Sequence, residues 1–585
     1  MSQKFSAKCT ALSLAVMLIL AAGACNRRAA ESTPATEQPR AKTEPSVVKT
    51  SFPPVKKTPS NHLPDDIVTG WRKAGASVAW VQQNRRGSLS FVREEEGKPG
   101  DLPAFGYTFS QEGALAKLPV PTSAFGMELG VYAAKADVLK DLAAFTSLQA
   151  LKLSGSRVTD AGLKDLASLN SLQFLDLSHA KVSDAGLKEL AALKNLQALS
   201  LSATSVTDAG LKELAGLTNL QSLNLSNTKV TGAGLKELAG LKSLRWLSLS
   251  TCKTTEAGLQ ELAGLTNLQC LVLIDAHVTD AGLKGVAGLK NLQSLYIEGS
   301  IVTAAGMKEL AGLASLKTLS LNGNPYVTNK GLKELAGLTS LQELNLWNTG
   351  VSDTGLRELA GMKQLQTLDI HGAHVTDAGL KVMAGLTNLQ TLHLNGTQVT
   401  GAGLTELSGL TSLQKLYLYD TQVTDAGLTA LSGLTSLQEL FLTEAVTDAG
   451  LKNLARLTSL KRLGLGGSQV TGVGLKELAE LKSLNWLSLR RSQVTDAGLR
   501  DLAGLKNLQW LNLESTKVTD VGLKELAKLS SLQTLNLGYT GVTDAGLKEL
   551  MTVTSLQELS LGSTRVTEAG KAELRKALPG CRAFP

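Results

Sequence analysis

Asp369, His371 and His393 are the residues of this chain best suited to chemistry. One residue separates the first two, and His393 follows Asp369 by 24 positions. A carboxylate and two imidazoles brought together can hold a divalent metal or act as a general base. No fourth ligand accompanies them, and the chain holds six histidines in all, so histidines on a binding surface are the better reading. No Gly-rich phosphate loop, nucleophile elbow or paired-cysteine motif is present. The sequence therefore reads as a non-enzyme with no metal and no cofactor.

A larger set surrounds these three. Glu343, Trp347, Asp369, His371, His393, Lys415, Tyr417, Tyr419 and Phe441 fall at outward strand positions, and Trp486, Arg490, Arg491, Trp510 and Glu514 follow as a second group two coils later. Aromatic rings and arginines dominate interface hot spots, and an exposed cluster of them has no core role. At about 4.8 Å between strands, the first group makes a patch roughly 20 Å long. The competing reading is a ladder of side chains stacked across strands to stabilise the sheet. Isolated Trp246 and Tyr296 are assigned to that ladder role.

What positions these residues is a repeat. The pattern Leu148-Gln-Ala-Leu151-Lys-Leu153 followed by Val158-Thr-Asp-Ala-Gly-Leu163 returns to the end of the chain in eighteen registered copies, mostly 24 residues apart. A fixed period in this range marks a solenoid. Within a copy, Leu151-Lys-Leu153 alternates like a short strand with its leucines inward. Thr159 or Asp160 can cap a helix whose Leu163, Leu166 and Leu169 form an inward stripe. Strands stacked along one edge and helices along a longer outer arc must curve. Two copies break the period. Asn322-Gly-Asn-Pro325-Tyr326 adds a residue and Thr443-Glu-Ala-Val-Thr447 loses one, and both are expected to alter curvature beside the aromatic patch.

The motif Leu-x-x-Leu-x-Leu-x-x-Thr/Cys with Val-Thr-Asp-Ala-Gly-Leu resembles the leucine-rich-repeat superfamily over residues 124–585. It is most similar to the cysteine-containing and ribonuclease-inhibitor-like class, whose cysteine positions Cys252 and Cys581 match. Most copies depart from that class by carrying Thr there, as at Thr204, Thr228, Thr349 and Thr397. The resemblance implies an α/β solenoid with a parallel concave sheet, convex helices and a ligand-binding concave face. It also brings in the substrate-receptor half of F-box proteins. No F-box-like helical segment precedes the array, so that degradation or effector role stands only as an alternative, beside a structural or adhesive envelope spacer.

The N-terminus carries Lys4 and Lys8 ahead of an apolar run from Ala11 to Ala22, the length of a signal h-region and too short to span a bilayer. Its end, Ala22-Gly23-Ala24-Cys25, resembles a bacterial lipoprotein signal, which implies a lipid on Cys25 as the mature terminus. Ordinary cleavage after Ala24, giving a secreted soluble protein, is the alternative. The expected organisation is a signal peptide at 1–24, a Pro-rich tether at 25–64, an N-terminal cap at 65–123, the array at 124–573 and a C-terminal cap at 574–585. Of the net charge of +8, residues 1–25 hold +2 and residues 26–60 hold +4, leaving +2 for everything after residue 60. A nucleic-acid binder concentrates positive charge on its folded face, so nucleic acid is not expected as a partner. The expected partner is a protein, with carbohydrate as the other candidate, and the expected location is the cell envelope.

Overall fold

The chain divides into Met1–Ser46 and Val47–Pro585, and every residue described in the computed structural model lies in the second unit. Described are residues 63–83, 89–108, 114–130 and 136–584. The signal segment, Cys25, the tether up to residue 62 and residues 84–88 fall outside them.

Alternating leucines set the architecture. Leu151, Leu175, Leu199 and Leu223 and their equivalents are buried on one side of a single open sheet, of 23 strands among the described residues. Strands β1 (Ser77–Gln83), β2 (Leu89–Arg93) and β3 (Leu102–Tyr107) pair antiparallel, with β1 in the centre. From β3 onward every neighbour is parallel, through β4 (Phe125–Leu129) and β5 (Leu148–Lys152) to the last strand at Arg582–Phe584. Beyond β5 each coil contributes only three strand residues, because the chain must turn back at once to form its helical arm. The arms are short α- or 3-10 segments, and their leucines meet the strand leucines in one continuous core. This is a curved repeat solenoid.

At the N-terminal end, helix α1 (Asp65–Lys73) buries Trp71 completely. The indole stacks on Phe105 with centroids 4.3 Å apart, meets Phe125 and Phe145 edge-on, and donates its N–H to the Pro119 carbonyl at 2.9 Å. These rings belong to the same continuous core as the leucines of the first coils. At the other end, the last strand, Arg582–Phe584, pairs in register with Glu558–Ser560.

The Thr-Asp-Ala-Gly motif binds one coil to the next. Threonine is the helix N-cap, and at Thr207 its hydroxyl accepts from the Ala209 N–H at 3.2 Å. The aspartate does not cap its own helix. Asp184 accepts from the Thr207 backbone N–H at 2.8 Å and from its hydroxyl at 2.6 Å, one coil further on. The same pair recurs from Asp160 with Ser183 to Asp544 with Thr567. It also explains the motif's glycine, since a Cβ on Gly210 would collide with the Asp184 carboxylate. Asp184→Ala should lower stability by about 2 kcal/mol, because hydrogen bonds to a charged group are stronger than neutral ones. A urea titration showing less than about 0.5 kcal/mol would remove the staple from the account.

Both irregular coils leave the ladder in register: Thr318 pairs with Glu343 and Glu439 with Arg462, with no bulge. The expected change of curvature is thus not seen in the strand pairing, because the loops absorb the difference. The extra residue goes into a turn where buried Asn324 donates to the Ile297 and Leu321 carbonyls at 2.7 and 2.8 Å. Pro325 and Tyr326 are pushed outward, leaving Tyr326 58 % exposed.

Candidate ligand-binding surface

One-to-one register aligns the outward side chains into three columns, two on the strands and a third just after them. Trp486 and Trp510 occupy the first column, with Glu343, Lys415, Glu439 and Arg462. Asp369, His393, Tyr417 and Phe441 form the second. Trp347, His371, Tyr419, Arg490 and Glu514 lie in the third. Arg491 is off the columns, in the turn, with a left-handed φ of 56°.

Strands this close force flat side chains face to face. His393 lies parallel on Tyr417 at 4.2 Å, Tyr417 on Phe441 at 5.0 Å, and Trp486 on Trp510 at 4.3 Å. Trp347 covers His371 at 5.0 Å. His393, Tyr417 and Phe441 are consequently buried, Glu343 is buried as well, and among the expected aromatics only Trp347 is exposed. The expectation of freely exposed rings is corrected accordingly: the cluster is a ladder of stacked, largely covered rings. Stacking within the sheet is present, since each ring covers its neighbour's face.

Two residues the sequence reading passed over join the two groups into one. Gly464 stands in the second column between Phe441 and Ser488, and a Cβ there would strike the Phe441 ring and come within 2.6 Å of the Tyr419 hydroxyl. Phe441 and Tyr419 lean over this gap, and Phe441 reaches Trp486 at 5.4 Å. Arg462 spans the same step, its guanidinium 4.9 Å from the Trp486 centroid and 5.8 Å from that of Phe441. Charge is internally matched. Glu439 bonds Lys415 at 2.9 Å and the Tyr417 hydroxyl at 2.9 Å, and Glu514 meets Arg490 at 3.1 Å. Burial alone would raise the Glu439 carboxyl, but its bonds and charge interactions with Lys415, then Tyr417 and Arg462, more than offset this and hold it below the ordinary value. Leu463-Gly-Leu-Gly-Gly467, glycine-rich where other coils carry side chains, was the available signal.

Among the described residues no group of three or more His, Cys, Asp or Glu is placed to hold a metal ion. Asp369 accepts the His371 backbone N–H at 3.0 Å, while both imidazoles are taken up in stacks.

Comparison with known families supplies the next observation. Residues 129–305 match the family described as a leucine-rich repeat region, and residues 312–336, 385–408 and 528–551 match single leucine-rich repeats. The chain is a leucine-rich-repeat protein. Its solved neighbours include the mouse RP105/MD-1 complex, 18 % identical with a TM-score of 0.50, where the match covers 77 % of this chain and 81 % of that one. A leucine-rich-repeat protein of Leptospira interrogans is 27 % identical with a TM-score of 0.47, over 72 % of this chain and 97 % of the other. An internalin of Listeria monocytogenes is 24 % identical with a TM-score of 0.39, over 55 % and 82 %. No curated protein matches the sequence.

In this leucine-rich-repeat sheet the ladder carries two opposed titrations. Burial pushes the Asp369 carboxyl up to about 6, the His371 N–H counteracting in part. Burial, with His371 and Lys415 nearby, pushes His393 down to about 4. The fold thus favours neutral His393, a contribution present above pH 6.5 and lost as pH falls towards 4. Ionised Asp369 costs stability above pH 6, a cost relieved as pH falls towards 3.8. The two nearly cancel in the parent protein. Asp369→Asn should be more stable than the parent at pH 7.5, then lose on the order of 2 kcal/mol more than the parent by pH 4.5. Parallel urea midpoints for the two proteins would refute this assignment.

Proposed function

We propose that this leucine-rich-repeat protein is a non-catalytic binding protein that captures a protein ligand on the concave face of its sheet. The observation that carries the reading is the run of ring contacts from His393 to Trp510, bridged across Gly464 by Arg462, with the Trp347–His371 pair in the two coils before it. Repeat solenoids use their extended inner surfaces for binding, and aromatic and arginine anchors are the residues that carry binding energy. Protein is favoured over carbohydrate, because sugars pack on open ring faces and most faces here are already covered by the next ring. The surface is preformed, so little rearrangement accompanies capture.

The same reading places the protein outside the cytoplasm, exported by residues 1–24 and held to a bacterial membrane by a lipid on Cys25 rather than by a spanning helix. No helix among the described residues is long and apolar enough to cross a membrane. Envelope extract passed over the full chain should yield a protein that is lost when Trp347, Tyr419 and Phe441 are all changed to Ala, provided circular dichroism shows the variant folded. Equal retention by both would move the site, and retention by neither would favour an envelope spacer. Metabolic labelling with palmitate, abolished by Cys25→Ser, tests the anchor.

A further inference from the structure

A second recess lies in the first coils of the array, well before the aromatic ladder, along the line where the chain enters its strands. It measures about 420 Å³ and is lined by Gln149, Gln173, Gln197 and Gln221, with Ser171 and two asparagines beside them. The four glutamines are half-buried. The backbone N–H groups of Gln173, Gln197 and Gln221 each donate to the carbonyl of the glutamine one coil earlier, at 2.8, 2.7 and 2.7 Å. That ladder sets one carboxamide per coil, about 4.8 Å from the next. Asn195 and Asn219 brace the recess by donating to the Asn170 and Lys194 carbonyls at 2.8 and 2.9 Å. The row stops at Arg245, which takes the next glutamine's place and folds back on the Lys242 and Leu244 carbonyls at 2.6 and 3.1 Å.

We propose that this recess binds a neutral, linear oligosaccharide, its hydroxyls bridging the carboxamides of successive coils. The lining decides the ligand class. Every side chain in it is neutral and polar, with no charged and no apolar group among them. An ionic ligand would shed water and gain no counter-charge. A polypeptide would bring side chains for which the recess has neither apolar nor ionic contacts. A carboxamide offers two donors and two acceptor lone pairs, so its best complement is a group that donates and accepts at one atom, which a sugar hydroxyl does. Gln197 already donates to the Gln173 carboxamide oxygen at 3.1 Å, and that bond uses one donor of the first and one lone pair of the second. The remaining capacity repeats at a constant step, as the hydroxyls of a linear glycan do. Three strand steps give a length of roughly 14 Å, room for about three pyranose rings. Recognition here is by ring hydroxyls alone, without the open aromatic face on which sugars otherwise pack.

The test titrates the full chain with cellotetraose, mannotetraose and chitotetraose, and with tetragalacturonate as the charged counterpart, by isothermal calorimetry. At least one neutral tetrasaccharide should bind, and tetragalacturonate should not. Gln173→Leu and Gln197→Leu, each checked for folding by circular dichroism, should weaken that sugar at least about tenfold, the worth of one or two hydrogen bonds. Gln173→Glu, which keeps the shape and removes the donors, should weaken it as well. Gln414→Leu, the same repeat position in a coil outside the recess, should leave the affinity unchanged. Failure of all three neutral sugars to bind overturns the proposal, as does equal binding of tetragalacturonate. Equal affinity in the parent, Gln173→Leu and Gln197→Leu overturns it too, and so does a matching loss in Gln414→Leu. Loss of the sugar in Trp347→Ala would place it on the aromatic surface and sink the recess as its site. None of these outcomes bears on protein capture by the ladder.

Discussion

Leu440→Asp should remove more stability than any other single change considered, at least about 4 kcal/mol, and should split unfolding into two transitions. Leu440 is fully buried, between Leu416 and Leu463 on the strands either side. A carboxylate there has no partner and no water. The second part of the expectation comes from the architecture. Each coil contacts only its neighbours, so cooperativity passes along the array through nearest-neighbour interfaces. A coil that cannot close uncouples residues before it from residues after it. Circular dichroism against urea should show two midpoints where the parent shows one, and a single transition merely shifted to lower urea would argue that coupling is longer-ranged.

Gly427→Ala is expected to cost about 3 kcal/mol, while Gly409→Ala in the same coil region changes stability by less than about 0.5 kcal/mol. Gly401 occupies the position where other coils carry the stapling aspartate, and here the two backbones approach directly. A Cβ on Gly427 would strike the Gly401 Cα, and main chain cannot swing aside as a side chain can. Around Gly409 an added methyl meets nothing within 4 Å. Thermal melts of the two variants side by side provide the check, and equal melting temperatures would mean that this seam has room to relax.

These contrasts mark where sequence reasoning succeeded and where it stopped. The strands and their inward leucines were legible because Leu151-Lys-Leu153 repeats at a period matched to one coil. The outward column residues from Trp347 to Trp510 were legible as outward positions for the same reason. Hidden were relations between coils. Asp184 looked like a cap for its own helix, yet its partners are on Thr207, and nothing within one repeat reveals that direction. Exposure was overestimated for Tyr417 and Phe441, because burial by a ring one period away does not register in a single strand's alternation. Arg462 and Gly464 were missed by attending to conspicuous side chains, when a missing one lets Phe441 reach Trp486. A comparison of positions 23 and 24 apart would have exposed all three.

The aspartate staple has a consequence for how such a chain changes length over generations. Its donor and acceptor are in adjoining coils but occupy the same two motif positions wherever the staple occurs, from Asp160 with Ser183 to Asp544 with Thr567. A duplication or loss of one whole repeat therefore creates no orphaned carboxylate: each new neighbour already carries the matching threonine. Recombination between near-identical segments can lengthen or shorten the array without stranding a carboxylate at the new junction, so the size of the inner surface is free to vary while the coil itself stays constant.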